Sequence, residues 1–309
     1  MGEYSKAAII KYTRKALGMT QEELAENICD PVTLSRYENG QIDPTDEKFV
    51  RLMEKMGERI DICTFPIECE DVEIQKYMEQ LLHIVEQGEW EQLEIQRKRI
   101  EEKCGISRNY PENRQYLKRL EIVADEKRRI ITSETAIAEM TEAMRETLGD
   151  CKPEAFPIRK VLTETEVLVI YDIALYNALS GKMRNSLKIL EQLDQYFQRQ
   201  DMINDYKPRY IIYLEYSNLL GQNGRYDESI EVCRKEIEVL RERKQMNYMY
   251  NFFFNIGWNI YEKIKKGLES KEKIPEAKSY IWVSYQLCKE YPENKSNLKI
   301  IEKYYNQVN

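Results

Sequence analysis

Apolar residues recur every three or four positions along almost the whole chain, which is the spacing of an amphipathic helix. The first helix is expected from Ser5 to Leu17, where Ala8, Ile9, Tyr12 and Ala16 share one face. Later segments repeat this spacing and none shows the alternation of a strand. The pattern therefore predicts an all-α protein.

Three further helices are predicted before residue 60, and their ends are marked by capping residues. Thr20 suits an N-cap and Glu23 completes a capping box, which starts the second helix. Asp30 can cap the third helix, with Pro31 in its first turn. The fourth starts near residue 45. Two short helices joined by a tight turn and braced by two others predict a helix-turn-helix.

The rest of the chain predicts eleven helices, from 71–86 to 294–306, with breaks at glycine and proline. The stretch from Cys63 to Glu68, which contains Pro66, is the plausible linker. We therefore predict a helix-turn-helix domain over 1–62, a linker over 63–69 and a helical repeat domain over 70–309.

Composition restricts the class of protein. The chain has 309 residues, of which 42% are hydrophobic, and a net charge of −7. No apolar window is long enough for a transmembrane helix, and the first residues lack a signal-peptide pattern. The seven cysteines are odd in number and include no CxxC pair. These features predict a cytoplasmic protein with no membrane contact.

The sequence offers little for catalysis. His83 is the single histidine, so any triad or histidine metal site would have to use it. His83 and Glu86 could supply two metal ligands from one helix, but a half-buried helix histidine is the simpler interpretation. Phosphate-binding, dinucleotide, zinc-protease and nucleophile-elbow motifs are absent. We predict no enzyme activity, no cofactor and no metal.

The N-terminal segment resembles the Cro-type (XRE) phage-repressor family over about 55 residues. The resemblance rests on TQEELAE at 20–26 and TLSRYENG at 33–40, although the turn between the helices is one residue shorter than the common version. It implies a lambda-repressor-like domain of four to five helices whose third helix enters the major groove of an operator.

The same resemblance implies roles for individual residues. Arg36 would bind guanine through its guanidinium fork, and Val32 would contact a thymine methyl group. Gln21 would bind a phosphate at a helix start, and Asn39 would hold the DNA backbone. The complete set of predicted DNA contacts is Gln21, Val32, Thr33, Arg36, Asn39, Arg14 and Lys15.

Other interpretations of these residues remain open. Thr33 could support the start of its helix, and Arg36 could pair with Glu22 or Glu38 on the surface. Glu38 itself is expected to make internal hydrogen bonds. Residues 1–66 hold nine basic and twelve acidic side chains, a net charge of −3. Non-specific DNA affinity should therefore be weak, and a head that has lost DNA binding is an alternative.

The middle of the chain resembles tetratricopeptide repeats. Residues 219–230 follow the signature G-x-Y-x-x-A between two helices, with Ser229 in place of alanine. The turn at Gly181 repeats this form, and the turn at Gly88 does so more faintly. Gly181 and Gly224 are 43 residues apart, which exceeds the usual repeat and predicts extended helices.

Stacked hairpins of this kind form a concave face that can receive a peptide. Matching the Gly224 repeat to the pattern of that family places candidate ligand residues there, and neighbouring hairpins add two asparagines. They are Leu214, Asn218, Gln222, Asn255 and Asn177. Alternatively, these asparagines are solvated helix residues. The aromatic stretch 248–254 with Trp258 is expected to be mainly core, although part of it could line a pocket or a dimer seam.

The two halves together resemble the RRNPP group of peptide-responsive regulators from Gram-positive bacteria. The resemblance implies a quorum-sensing homodimer that binds a double-stranded DNA operator and is controlled by a short imported peptide or a protein partner. Two alternatives are a regulator whose repeats only dimerise and a protein-interaction adaptor with an inactive head.

Overall fold

The protein is described by a computed structural model that covers most of the chain. The described residues are 6–57, 81, 84, 89–103, 111–157, 162–199, 209–242, 244, 246–291 and 295–308. Over these ranges the chain forms α-helices and short 3₁₀ turns without any β-strand, which confirms the all-α prediction for them. None of the helices there is long and apolar enough to cross a membrane. His83 and the predicted linker at 63–69 lie outside the described residues.

The N-terminal head, residues 6–57, consists of four helices. They are α1 (Lys6–Ala16), α2 (Gln21–Ala25), α3 (Pro31–Glu38) and α4 (Asp46–Lys55). Apolar side chains from all four helices meet in one core, at whose centre Ile10, Leu24, Leu34 and Leu52 are completely buried. This core fixes α2 and α3 against α1 and α4.

The predicted caps of α2 and α3 are confirmed. Thr20 Oγ1 accepts a hydrogen bond from the Glu23 amide at 3.1 Å, and the Glu23 carboxylate accepts one from the Thr20 amide at 2.7 Å. Asp30 Oδ1 accepts from the Thr33 amide at 2.9 Å, and Pro31 occupies the first turn of α3. Each cap satisfies backbone donors that have no partner within the helix.

Two compact units divide the chain, residues 1–207 and 208–309. Beyond the head, the first unit contains helices that pack on their successors along the chain. They are α5 (Trp90–Lys103), α6 (Pro111–Lys127), α7 (Ser133–Leu148), α8 (Glu164–Leu179) and α9 (Met183–Arg199). In addition, α6 packs against α8, and a buried ion pair joins Arg119 Nε to Asp172 Oδ2 at 2.6 Å.

The second unit has the same arrangement. Its helices are α10 (Arg209–Gln222), α11 (Tyr226–Glu242), α12 (Met249–Lys265), α13 (Ile274–Lys289) and α14 (Lys295–Gln307). Successive helices pack together, and α10 also packs against α12. The first helices of neighbouring hairpins therefore touch, as in a helical repeat domain.

Two of the three hairpin turns singled out in the sequence have equivalent geometry, and the third, at Gly88, lies outside the described residues. Gly181 and Gly224 take φ values of +75° and +79°, which favour glycine. Ser229, which replaces the usual alanine, is fully buried and donates from Oγ to the Ser217 carbonyl at 2.7 Å. A serine is tolerated at this close approach because its hydroxyl has an acceptor on α10.

Candidate DNA-binding surface and repeat groove

The exposed face of α3 presents the predicted base-contacting residues Val32 and Arg36, which lie one turn apart. Val32 is 62% exposed, which is unusual for valine. Arg36 is also exposed, and no described residue forms a hydrogen bond or ion pair with its guanidinium. The alternative pairing of Arg36 with Glu22 or Glu38 is therefore not found. Both side chains are free to contact another molecule.

Thr33 has a structural contact in the same turn. Its hydroxyl donates to Asp30 Oδ2 at 2.5 Å, and its amide donates to Asp30 Oδ1. Hydrogen bonding to Thr33 lowers the pKa of Asp30, so the cap stays charged. This contact matches the alternative in which Thr33 supports the helix start. The threonine oxygen keeps its acceptor capacity for a partner.

The opposite end of α3 is anchored by Glu38, as the sequence predicted. The buried Glu38 carboxylate accepts from Arg14 Nε at 2.5 Å, from Arg14 Nη2 at 2.9 Å and from Gln21 Nε2 at 2.7 Å. Arg14 Nη1 also donates to the Met19 carbonyl at 2.7 Å. The hydrogen bond to Glu38 raises the pKa of Arg14. This cluster joins α1, α2 and α3.

The anchor changes the interpretation of two predicted DNA contacts. Arg14 is buried with its donors engaged inside the head, so it is removed from the predicted positive patch on α1. The Gln21 side chain is likewise directed to Glu38, which leaves the backbone at the start of α2 as the group available for a phosphate. Lys15 and Asn39 are exposed at the ends of α1 and α3.

The turn between α2 and α3 is held by residues that the sequence analysis did not identify. Asn27 takes a left-handed φ of +64°, a conformation in which asparagine is enriched. From α4, Arg51 Nη2 donates to the Asn27 carbonyl at 2.8 Å and Lys55 Nζ donates to the Glu26 carbonyl at 2.7 Å. The shortened turn is thus attached to α4.

In the second unit, Leu214, Asn218 and Gln222 follow one line along α10. We call the surface that they form with Trp258 the repeat groove. Leu214, Asn218 and Trp258 are half-buried, and Gln222 is exposed. Trp258 lies against α10 so closely that a methyl group on Gly221 would be 2.8 Å from Trp258 Cζ3. An apolar and an amide side chain therefore stand beside an indole ring.

Asn255 does not share this accessible surface. It is buried, and its Nδ2 donates to Ser217 Oγ at 2.8 Å and to Asn218 Oδ1 at 2.7 Å. The predicted ligand contact is therefore replaced by an internal link between α12 and α10. Asn255 acts on the groove only through the Asn218 amide that it holds.

Asn177 also faces another side of its helix. It is buried and donates from Nδ2 to the Ile173 carbonyl at 2.8 Å. It lines a cavity of about 210 Å³ together with Thr141 of α7 and Lys188 of α9. Because its side chain is buried and its amide nitrogen is bonded within its own helix, Asn177 is no longer proposed as a ligand residue.

Glu215, next to Leu214 on α10, is a residue that the sequence analysis missed. Its carboxyl is half-buried, and this burial raises its pKa, while a hydrogen bond with the Asn218 side chain acts in the opposite direction. The periodicity of α10 gave no sign of it, because glutamate is common at exposed helix positions.

The aromatic residues of α12 divide between the buried core and a side that contacts α14. Tyr250 and Phe252 are buried, in agreement with the prediction of a hairpin core. Phe254 is half-buried and meets the Tyr304 ring of α14 edge-on at 5.5 Å. Tyr261 donates to the Gln307 carbonyl at 3.2 Å. The final helix α14 thus covers part of the aromatic face of α12.

Comparisons with known proteins agree with this description. Residues 10–62 match the family described as helix-turn-helix. No curated protein sequence matches the chain. The solved structure of Bacillus thuringiensis PlcR in complex with the peptide PapR7 and DNA is 17% identical, with a TM-score of 0.55 and 99% of each chain covered.

Two further structures are similar. The apo form of PlcR is 14% identical with a TM-score of 0.61, over 95% of this chain and 98% of that one. ComR from S. thermophilus in complex with DNA and its signalling peptide ComS is 14% identical with a TM-score of 0.54, over 98% and 99%. The likeness to PlcR and ComR confirms the predicted fold, a helix-turn-helix head followed by a helical repeat domain. Residues 10–62 are therefore a helix-turn-helix domain, and the chain as a whole shares the fold of PlcR and ComR.

Proposed function

We propose that this protein is a cytoplasmic, homodimeric, sequence-specific DNA-binding transcriptional regulator whose repeat domain binds a short signalling peptide. The observation that carries the proposal is the exposed face of α3. Val32 in the first turn and Arg36 one turn further on are accessible on this face, while Glu38 on the buried side anchors the helix to α1 and α2. A fixed helix with accessible side chains on its outer face is what major-groove recognition requires.

The comparisons support both halves of the proposal. The PlcR and ComR structures each contain DNA and a peptide, and this chain covers nearly their full length. In this chain the repeat groove offers a half-buried leucine, an amide and an indole ring, a combination suited to peptide side chains and backbone. Peptide binding would then change how the two heads of a dimer are spaced on half-sites.

The acidic head supports one alternative function. With a net charge of −3 over residues 1–66, it attracts phosphate poorly, which suits a protein-interaction adaptor whose head no longer binds DNA. A regulator whose repeats only dimerise is a further alternative. A measurement of DNA binding distinguishes the adaptor from the proposed regulator, and a separate measurement of ligand binding distinguishes the regulator whose repeats only dimerise.

Sequencing of genomic fragments retained by the purified full-length protein tests DNA recognition. We expect a few two-fold symmetric sites, and we expect Arg36→Ala to weaken binding to them about 10- to 100-fold because a bidentate guanine contact is lost. Arg184→Ala, which changes an exposed arginine on α9, is the matched control. Fragments retained equally by the protein and by Arg36→Ala would contradict the assigned reading residue.

Thermal unfolding tests the ligand. We expect a peptide fraction from the organism's culture medium to raise the melting temperature of the full-length protein, since a ligand that binds the folded state stabilises it. If the melting temperature is unchanged by that fraction while symmetric operators are still captured, the repeats serve dimerisation or a protein partner and the peptide part of the proposal is wrong.

A further inference from the structure

Among the described residues, three of the four buried carboxylates pair with arginine, and the fourth, Glu166, accepts a hydrogen bond from the Thr163 amide at 2.8 Å. Glu38 pairs with Arg14 at 2.5 Å, Asp172 with Arg119 at 2.6 Å, and Glu236 with Arg209 at 2.5 Å. This pairing is expected, because removing a carboxylate from water is unfavourable unless a cation or several hydrogen bonds compensate.

Glu215 departs from this rule. It is half-buried on α10, yet no described residue places a cation within ion-pair distance of its carboxylate. Its carboxyl forms a hydrogen bond with the neutral Asn218 side chain. Burial is the larger effect and raises the pKa of Glu215. The arginine of the same helix, Arg209, already pairs with Glu236.

A chain of hydrogen bonds connects Glu215 to the repeat groove. Asn259 Nδ2 donates to the Asn255 carbonyl at 2.6 Å, and Asn255 Nδ2 donates to Asn218 Oδ1 at 2.7 Å. With its oxygen accepting from Asn255, Asn218 presents its amide nitrogen toward Glu215. The orientation of the Asn218 amide is thereby fixed by Asn255, and the Glu215 carboxyl lies beside the Asn218 amide, which belongs to the groove.

We propose that the ligand of the repeat groove carries a positive group, either its amino terminus or a lysine or arginine side chain, which pairs with Glu215. This inference rests on the proposed peptide function and specifies the charge of the ligand. A cation brought by the ligand supplies the charge that no described residue provides for Glu215, so the unfavourable desolvation of the carboxylate becomes a source of affinity and selectivity.

Defined peptide pools test this proposal with the immobilised full-length protein. All pools are short, carboxy-terminally amidated and randomised over uncharged residues. One is acetylated and neutral, one has a free amino terminus, one is acetylated with a single lysine at each position in turn, and one is acetylated with a single glutamate. Retention is measured by mass spectrometry for the unmodified protein, for Glu215→Gln and for Glu238→Gln, a control at an exposed position on α11.

We expect the protein to retain one or both cationic pools about tenfold more than the neutral pool. The pool with the free amino terminus and the lysine pool show which source supplies the charge. Glu215→Gln should lose this preference while still retaining neutral peptides, and Glu238→Gln should keep it.

Three results would overturn the proposal. Equal retention of cationic and neutral pools by the unmodified protein would show that peptides bind without the Glu215 pair, leaving the proposed function intact. Cationic preference that persists in Glu215→Gln would assign the charge recognition to another residue. Retention of no pool, together with normal operator capture, would refute peptide binding itself.

Discussion

At the scale of single residues, Glu38 shows how one carboxylate can organise a recognition domain. Three hydrogen bonds from Arg14 and Gln21 converge on it, and its side chain is almost completely shielded from solvent. Bidentate pairing with arginine fixes direction as well as distance. The buried side of α3 is therefore tied to α1 and α2, and the opposite face, with Val32 and Arg36, is left accessible.

The raised pKa of Glu215 predicts a pH-dependent stability difference. A carboxyl whose pKa is higher in the folded than in the unfolded protein, where it titrates near 4.5, destabilises the fold once it ionises. This penalty is absent below the unfolded pKa and complete above the folded pKa. We therefore expect Glu215→Gln to melt with the unmodified protein near pH 4 and at a higher temperature near pH 8.

The measurement is thermal unfolding of both proteins across that range, with Glu238→Gln as the exposed control. A melting difference that does not change with pH would contradict the assignment of an unpaired, ionisable Glu215. No charged side chain among the described residues changes the pKa of Glu215; the hydrogen bond with Asn218 is the one contact that lowers it.

Residue roles were predictable where partners are close in sequence. The caps at Thr20 and Asp30 depend on contacts three residues away, so the local pattern was sufficient. Arg14 and Asn255 meet partners 24 and 38 residues away, and their inward orientation depends on packing that no local pattern contains. Their predicted surface roles failed for this reason.

At the scale of helices, the close contact between α12 and α13 predicts a strong effect of one methyl group. A Cβ on Gly257 would lie 2.7 Å from the Ala277 carbonyl oxygen and 2.7 Å from Ile281 Cγ1. Alanine normally stabilises a helix by about 1 kcal/mol relative to glycine. Here we expect Gly257→Ala to lower the free energy of unfolding by about 1–3 kcal/mol, because backbone must move to relieve the overlap.

Urea unfolding of the full-length protein measures this change, and Glu238→Ala on the exposed side of α11 controls for a general effect of alanine. A gain in stability for Gly257→Ala would contradict this prediction, because it would mean that α12 and α13 can move apart to make room for the methyl group.

The positions of the helices could be predicted from the periodicity of the sequence: α8, predicted at 162–180, spans Glu164–Leu179. Which face of α8 meets α7 and α9 did not follow, and Asn177 was therefore misplaced.

At the scale of the whole molecule, the order of modules could be predicted from the sequence because each module has a local signature. The helix-turn-helix motif and the glycine turns at Gly181 and Gly224 are all short, and the fold shared with PlcR joins them in that order at 17% identity. Ligand charge depends on Glu215, which belongs to no motif. Partners of the molecule are therefore harder to predict than its architecture.

The acidic head predicts an unusually weak salt dependence of DNA binding. With Arg14 internal and Arg51 and Lys55 engaged with the α2–α3 turn, Lys15 and Arg36 remain as exposed, unpaired cations of the described head. If about two phosphates are neutralised per head, a dimer releases about four counterions, and the slope of log affinity against log salt is about −4. Affinity for a captured operator should then fall roughly 100-fold between 50 and 200 mM salt, as measured by fluorescence anisotropy.

Two variants separate charge from base recognition in that experiment. Lys15→Gln should make the slope shallower by about two, one counterion for each head, and should weaken operator and unrelated DNA alike. Arg36→Ala removes the other counted cation and should also make the slope shallower, but unlike Lys15→Gln it should in addition reduce the preference for the operator over unrelated DNA, because its guanidinium is assigned to a base. A slope steeper than about −8 for the unmodified protein would contradict this account, since the described head alone could not supply so many phosphate contacts and the repeat domain would have to bind DNA as well.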